Sequence, residues 1–152
     1  MIELGELNRI KREASAFLLP LGSATPEAIA AALAPRDSDY AAVFAGAAAA
    51  QARKGYEAFW KTPPRGLAKP GQTEVVAFAL QADALTTDNE FSREFPGGYR
   101  KIAARLNPDN VWVSFKFVVP GQTTGMAYDG LVLLAGRWAW FPKPWRVLGD
   151  TN

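Results

Sequence analysis

Alternating apolar and polar positions in the last third of the chain predict three consecutive strands. The predicted strands are residues 111–119, 124–134 and 137–141. Pro120 ends the first strand, and the pair Ala135-Gly136 favours a tight hairpin between the second and the third. Pro142 and Pro144 remove main-chain donors and end the ladder. Residues 111–148 therefore predict the antiparallel sheet around which the rest of the chain is organised.

Three helices are predicted before Pro63, each from apolar residues that recur every three or four positions. The stripe of the first helix consists of Leu7, Ile10, Ala14, Phe17 and Leu18. This helix stops at Pro20, and Thr25 caps the second helix, which runs to about residue 34. The third begins at Asp37 or Ser38 and keeps helical spacing up to Pro63.

Residues 74–82 predict one more strand, between the helices and the C-terminal sheet. Both sets of alternating positions are apolar, which indicates that both faces of this strand are covered. A loop follows with the acidic residues Asp83, Asp88, Glu90 and Glu94. It lacks the spacing and the central glycine of a calcium loop, so a solvated acidic loop is favoured over a metal site. Residues 95–101 then lead into a short predicted helix that ends near Leu106.

Length and composition fit one packed domain. The elements predict an α+β fold over residues 1–152, with N-terminal helices packed on a curved, mainly antiparallel sheet. With 17 basic and 15 acidic residues the net charge is +2, too balanced to predict a nucleic-acid partner. Charged residues near the start and the lack of a long uncharged apolar run predict no secretory signal, no membrane partner and a cytoplasmic location.

The chain contains no cysteine and no histidine, which narrows its chemistry. Disulfides, thiolate nucleophiles, imidazole bases and zinc sites built on these residues are excluded. Any catalysis would have to use aspartate, glutamate, lysine, tyrosine or serine. We therefore predict no metal and no cofactor.

Strand register predicts two unlike faces of the C-terminal sheet. With turns of two or four residues and no bulge, one face would carry Trp112, Ser114, Lys116, Ala127, Asp129, Leu131, Trp138 and Trp140. The other would carry Val113, Phe115, Phe117, Met126, Tyr128, Val132, Ala139 and Phe141. The first face is the candidate functional surface and the second is the predicted core. A bulge or a three-residue loop would change this grouping.

Asp129 is the candidate catalytic residue. It stands in an otherwise apolar strand, where a carboxylate needs a hydrogen-bond partner, and Lys116 or Ser114 is the expected one. In an enzyme, Asp129 would act as acid or base, with Lys116 or Tyr128 assisting. The alternatives are a structural hydrogen bond to a loop and an exposed position at a sheet edge.

The candidate ligand-binding residues are Trp112, Lys116, Tyr128, Trp138 and Trp140. Their indole and phenol rings would enclose an apolar small molecule. The same tryptophans also fit a homodimer surface, or core packing beneath the N-terminal helices.

The order of elements resembles the cystatin-like α+β cone of the nuclear-transport-factor-like and SnoaL-like proteins. The resemblance lies in three helices, a strand, a short helix and three hairpin-linked strands that end in Gly136-Arg137-Trp138. It implies a curved sheet around a pocket, used for catalysis, binding or dimerisation. The aspartate–histidine pairs of the family's enzymes have no counterpart here, because histidine is absent. Segments 95–99, 126–131 and 141–146 also resemble uncharacterised bacterial proteins, which implies no activity.

The favoured hypothesis is a non-catalytic module that binds a small molecule or forms a homodimer. One alternative is an enzyme that acts on a small apolar substrate through Asp129. Another is a protein that scaffolds or neutralises a protein partner through the surface of residues 138–146.

Overall fold

A computed structural model describes residues 2–149, in which helices and strands are joined by turns, by short 3-10 helices and by two longer connections, residues 60–73 and 82–97. The helices are α1 (Leu4–Leu18), α2 (Pro26–Leu33), α3 (Asp39–Val43), α4 (Ala48–Phe59), α5 (Gly98–Ile102) and α6 (Pro144–Val147). The strands are β1 (Glu74–Gln81), β2 (Val111–Val118), β3 (Gly125–Leu134) and β4 (Arg137–Trp140). The predicted α+β class is confirmed. None of the helices in residues 2–149 is long and apolar enough to cross a membrane.

The first two helices form where the apolar stripe and the caps predict them. Along α1, Leu7, Ile10, Ala14 and Leu18 are buried on one side. The Thr25 hydroxyl accepts a hydrogen bond from the Ala28 N–H at 3.1 Å, which satisfies one of the free donors at the start of α2. The local sequence therefore determines both helices, and burial of their apolar sides holds them on the sheet.

The third predicted helix consists of two helices, α3 and α4, separated by a short break. Phe44 leaves the helical conformation and forms an isolated antiparallel bridge with Leu106. Gly46 adopts a φ of +52°, which glycine accepts at little cost. The prediction of one continuous helix was wrong because apolar spacing continues across the break, whereas pairing with a distant segment takes the backbone out of the helix.

The four strands form one antiparallel sheet in the order β1-β2-β3-β4, so β1 and β4 are its edges. Its front face, which includes Val113, Phe115 and Leu131, packs against α1 and α2. Its back face, which includes Trp112 and Val132, packs against α4 and α5. The sheet is not strongly curled, so its shape does not confirm the predicted cone.

A bulge interrupts β3 where the sequence reads Asp129-Gly130. The pairing of β2 with β3 shifts between Val113 and Phe115, and the two bulge residues together stand opposite one residue of β2. Gly130 adopts a φ of +92° there. The Gly130 carbonyl accepts a hydrogen bond from the Phe141 N–H at 2.7 Å. The residue directly after β4 therefore still binds the bulge where the regular pairing of β3 with β4 has ended.

The predicted grouping of side chains holds before the bulge, where Lys116, Ala127 and Asp129 share the back face, and is wrong after it. Trp112 pairs with Val132 on the back face, whereas Trp138 and Trp140 belong to the front face. Ala139 lies on the back face too. A single extra residue reverses which side of the sheet every later residue of β3 faces, and β4 follows because it pairs with that part of β3.

Candidate functional site

Asp129 is buried, with 5% of its surface exposed, and it links three segments of the chain. Its Oδ1 accepts one hydrogen bond from the Tyr99 hydroxyl of α5 at 2.7 Å and another from the Lys143 main-chain N–H at 2.8 Å. The main-chain oxygen of Asp129 accepts a third, from the Trp140 indole, at 2.7 Å. The residue therefore fastens the bulge to α5 and to the segment that follows β4.

The predicted partners of Asp129 are not its partners. The Ser114 hydroxyl donates to the Glu94 carbonyl at 3.0 Å instead. Among residues 2–149, no ion pair joins Lys116 to Asp129. The prediction was wrong because Tyr99 reaches Asp129 from a helix and the Lys143 N–H reaches it from the segment after β4. The Lys143 contact is the structural hydrogen bond to a loop that stood as the alternative.

A cavity of about 320 Å³ borders Asp129 on the back face. It lies between the sheet and the loop of residues 93–96. Its lining comprises Phe78, Arg93, Glu94, Phe95, Pro96, Ser114, Phe115, Lys116, Ala127, Tyr128 and Asp129. Lys116 is half-buried and Ala127 is exposed, whereas Trp112 at the other end of β2 is fully covered by helices. The cavity thus occupies the part of the back face that the helices leave open.

The polar groups of this cavity carry both signs of charge. Lys116 extends along the aromatic ring of Phe78, with its Nζ 5.9 Å from the ring centroid. Arg93 stands at the rim and is paired with Asp88 at 3.1 Å. The second oxygen of Asp129, Oδ2, accepts no hydrogen bond from any residue within 2–149. The lining therefore combines a lysine, aromatic side chains and a buried aspartate.

The three candidate tryptophans lie away from this cavity and on two faces of the sheet. Trp112 is buried on the back face, with its ring 5.6 Å from Tyr99 and 6.4 Å from Phe44. Trp138 stacks on Phe17 of α1 at 6.1 Å, on the front face. The tryptophan cluster expected from the register does not form, and Trp138 packs beneath an N-terminal helix.

Trp140 and Tyr128 also pack on the front face. Their rings meet edge to face at 6.0 Å, and Trp140 makes a similar contact with Trp60. The Tyr128 hydroxyl donates to the Leu67 carbonyl. Tyr128 borders the cavity, yet its ring contacts Phe115 on the other side of the sheet. Lys116 is therefore the candidate ligand-binding residue that lines the cavity without packing into the front-face core.

No protein-family model matches this chain, and the comparisons with curated proteins and solved structures give no match. The resemblance to the cystatin-like cone therefore depends on the order of elements alone. Within residues 2–149, no three acidic side chains come together to hold a metal ion.

Sequence reasoning missed Tyr99, Phe78 and the loop of residues 93–96 as parts of the site. Tyr99 is 30 positions from Asp129 and sits in a helix of five residues, so no local pattern connects the two. The sequence predicts a covered strand around Phe78, where an aromatic residue is expected. The one signal in the sequence was Asp129 itself, because a buried carboxylate requires a partner somewhere.

Two buried tyrosines should lower the free energy of unfolding as the pH rises into the alkaline range. Burial, with the nearby Asp129, raises the pKa of Tyr99 well above its usual value of 10.0, and burial does the same for Tyr56. Above about pH 10 the unfolded chain releases these protons while the folded chain keeps them. The unfolded state then binds fewer protons, so we expect the free energy of unfolding to fall with rising pH, by at most about 1.4 kcal/mol per pH unit for each tyrosine.

Denaturant unfolding at a series of pH values from about 8 to about 11 measures this slope. Tyr99→Phe should make the fall of the free energy of unfolding with pH less steep, because one of the two tyrosines no longer titrates. The contribution from lysines stays the same in both proteins. An identical slope in the variant would contradict the assignment of Tyr99.

Proposed function

We propose that this protein is a non-catalytic module that binds a small amphipathic molecule in the back-face cavity. The observation that carries the proposal is the cavity itself, about 320 Å³ with both Asp129 and Lys116 in its lining. This volume lies at the lower end of the range for small-molecule sites. The order of the elements supports, in addition, a distant relation to the cystatin-like cone, which often contains such a pocket.

The chemistry of the lining favours a ligand with both a ring and polar groups. Phe78 and Phe95 supply apolar surface for the ring. A carboxylate or phosphate group of the ligand would meet Lys116, and an amine or hydroxyl group would donate to Asp129. The wholly apolar ligand expected from the tryptophans is therefore replaced by an amphipathic one.

Binding without catalysis fits the role of Asp129. Its Oδ1 is occupied by two hydrogen bonds that hold the fold together, and its partner Tyr99 is fully buried. No ion pair within residues 2–149 joins Lys116 to Asp129, so Lys116 is not placed to exchange a proton with Asp129 and offers its charge to the ligand instead.

Ligand-observed NMR with a library of small aromatic acids and amino acids would test the proposal. We expect binders whose affinity falls about three- to ten-fold in Lys116→Gln for acidic compounds, since a partly exposed ion pair contributes about 1 kcal/mol. Ala127→Trp should abolish binding, because the exposed Ala127 lines the cavity and the larger side chain fills it.

Lys101→Gln is the matched control, since Lys101 is an exposed lysine outside the cavity. It removes the same charge and should leave affinity unchanged. Binders that respond equally to both lysine variants, or that still bind Ala127→Trp, would refute the proposed site. A library with no binder would count against the function.

A further inference from the structure

The outer edge of β1 carries unpaired main-chain groups. β1 is an edge strand of eight residues, and within residues 2–149 it pairs only with β2. Between residues 2 and 149, no other backbone or side-chain group makes a hydrogen bond to its main chain. Half of the N–H and C=O groups of an edge strand point away from its neighbour, and they form a template for another extended chain.

The edge lies in a groove between α1 and the segment that follows β1. At the end near Leu80, a cleft of about 450 Å³ is apolar, with Leu4, Leu7 and Phe91 in its walls. Leu4 is 60% exposed although it is a large apolar residue. A second cleft of about 390 Å³ shares these three residues and continues along Ala79. The groove therefore follows the strand rather than forming a closed pocket.

The α1 wall of the groove becomes basic toward Ala77. Lys11 and Arg12 line a third cleft at this end. Neither of them forms an ion pair with any residue in 2–149. Arg9 on the same helix, in contrast, is paired with two glutamates of α1. Two unpaired cations beside free main-chain groups favour an acidic side chain on the side of the occupant that faces α1.

The opposite wall has the other sign of charge. Glu90 and Glu94 line the groove across from Lys11. Successive side chains of an extended peptide point to opposite sides, so one peptide can place acidic and apolar residues toward α1 and neutral or basic residues toward the two glutamates. The groove therefore selects a pattern of alternating positions.

A second copy of this chain fits the edge less well. Antiparallel pairing of β1 with β1 has a two-fold axis perpendicular to the sheet, so both α1 helices would lie on the same side of the joined sheet. The pairs Lys11 and Arg12 of the two copies would then face each other across the seam, and like charges repel.

We propose that the β1 edge binds an extended segment of a partner protein, which adds a fifth strand to the sheet. The segment carries a large apolar residue and an acidic residue two positions apart, both directed toward α1. Main-chain hydrogen bonds to β1 supply affinity, and the apolar cleft with Lys11 and Arg12 supplies specificity.

A fluorescein-labelled heptapeptide, Thr-Glu-Thr-Leu-Thr-Glu-Thr, is the probe. Its pattern is the same in both chain directions, so it tests parallel and antiparallel pairing at once. Fluorescence anisotropy should show saturable binding at concentrations up to about 1 mM, the range of weak peptide binding. Hydrogen exchange should slow at β1 amides when the peptide is present.

Two matched comparisons separate main-chain pairing from charge attraction. The same peptide methylated on every main-chain nitrogen should not bind, because its hydrogen-bond donors are removed. Lys11→Glu with Arg12→Glu should weaken binding at least about five-fold. Lys54→Glu with Lys61→Glu makes the same change in net charge at exposed positions outside the groove and should alter binding by less than about two-fold.

Three results would overturn the proposal: no binding of the probe, equal binding of the methylated peptide, or protection of amides outside β1. A scattering mass twice the 16.5 kDa of the chain, with β1 already protected in the absence of peptide, would assign the edge to a homodimer and overturn it as well. Lys116→Gln should leave peptide binding unchanged, so failure of the cavity proposal and failure of this one are distinguishable.

Discussion

Gly130→Ala is expected to destabilise the protein by about 3 kcal/mol or more. A Cβ atom at this position would lie 2.1 Å from the Phe141 carbonyl oxygen, far inside van der Waals contact, and the atom it meets is backbone. The φ of +92° adds strain for any residue with a side chain. The bulge would have to move, and with it Asp129 and the last regular pair of β3 with β4.

Gly136→Ala is the matched control for this substitution. Gly136 also has a positive φ, +82°, but an added Cβ meets no atom of residues 2–149 within 4 Å. It should therefore cost only the conformational strain, about 1 kcal/mol. Denaturant unfolding of both variants measures the difference, which reports the clash with Phe141 alone. Equal losses in the two variants would show that the close approach at the bulge has no energetic consequence.

Asp129→Ala should lower the free energy of unfolding by about 3 kcal/mol. The substitution leaves the Tyr99 hydroxyl and the Lys143 N–H without their acceptor, and Tyr99 has no access to water. Asp129→Asn keeps an oxygen that can accept from both donors, so we expect a loss of only about 1 kcal/mol. Tyr99→Phe removes one of the two bonds and should cost a similar amount.

A double-mutant cycle tests whether Asp129 and Tyr99 act through one hydrogen bond. Tyr99→Phe should cost clearly less when Asp129 is already alanine, because the shared bond can be lost only once. Additive effects would contradict the contact. An Asp129→Ala protein as stable as the wild type would refute the anchoring role, and it would favour the acid–base hypothesis for this residue.

The regular elements could be predicted because local patterns determine them. Thr25 caps α2 where its position before a proline indicates, and the Ala135-Gly136 turn joins β3 to β4 as expected. The strands extend to within one residue of their predicted ends, because alternation and proline breakers are properties of neighbouring residues.

The site could not be predicted to the same degree, because it depends on contacts between distant residues. The break at Phe44 arises from its bridge to Leu106, more than sixty positions later. The apolar strand around Asp129 indicates that this carboxylate needs a hydrogen-bond partner, but the partner, Tyr99, lies on a helix whose position no periodicity in the sequence predicts. The bulge depends on one glycine, and the sequence alone allows Asp-Gly to continue a strand as well as to interrupt it.

The Asp129-Gly130 bulge shifts the alternation of side chains along β3 by one residue. The residues that face the front are even-numbered before it, at Met126 and Tyr128, and odd-numbered after it, at Leu131 and Leu133. A distant relative with the same bulge would show this switch of parity at an acidic residue followed by glycine, even where no individual side chain is shared. The switch is therefore a mark by which such relatives can be recognised and aligned.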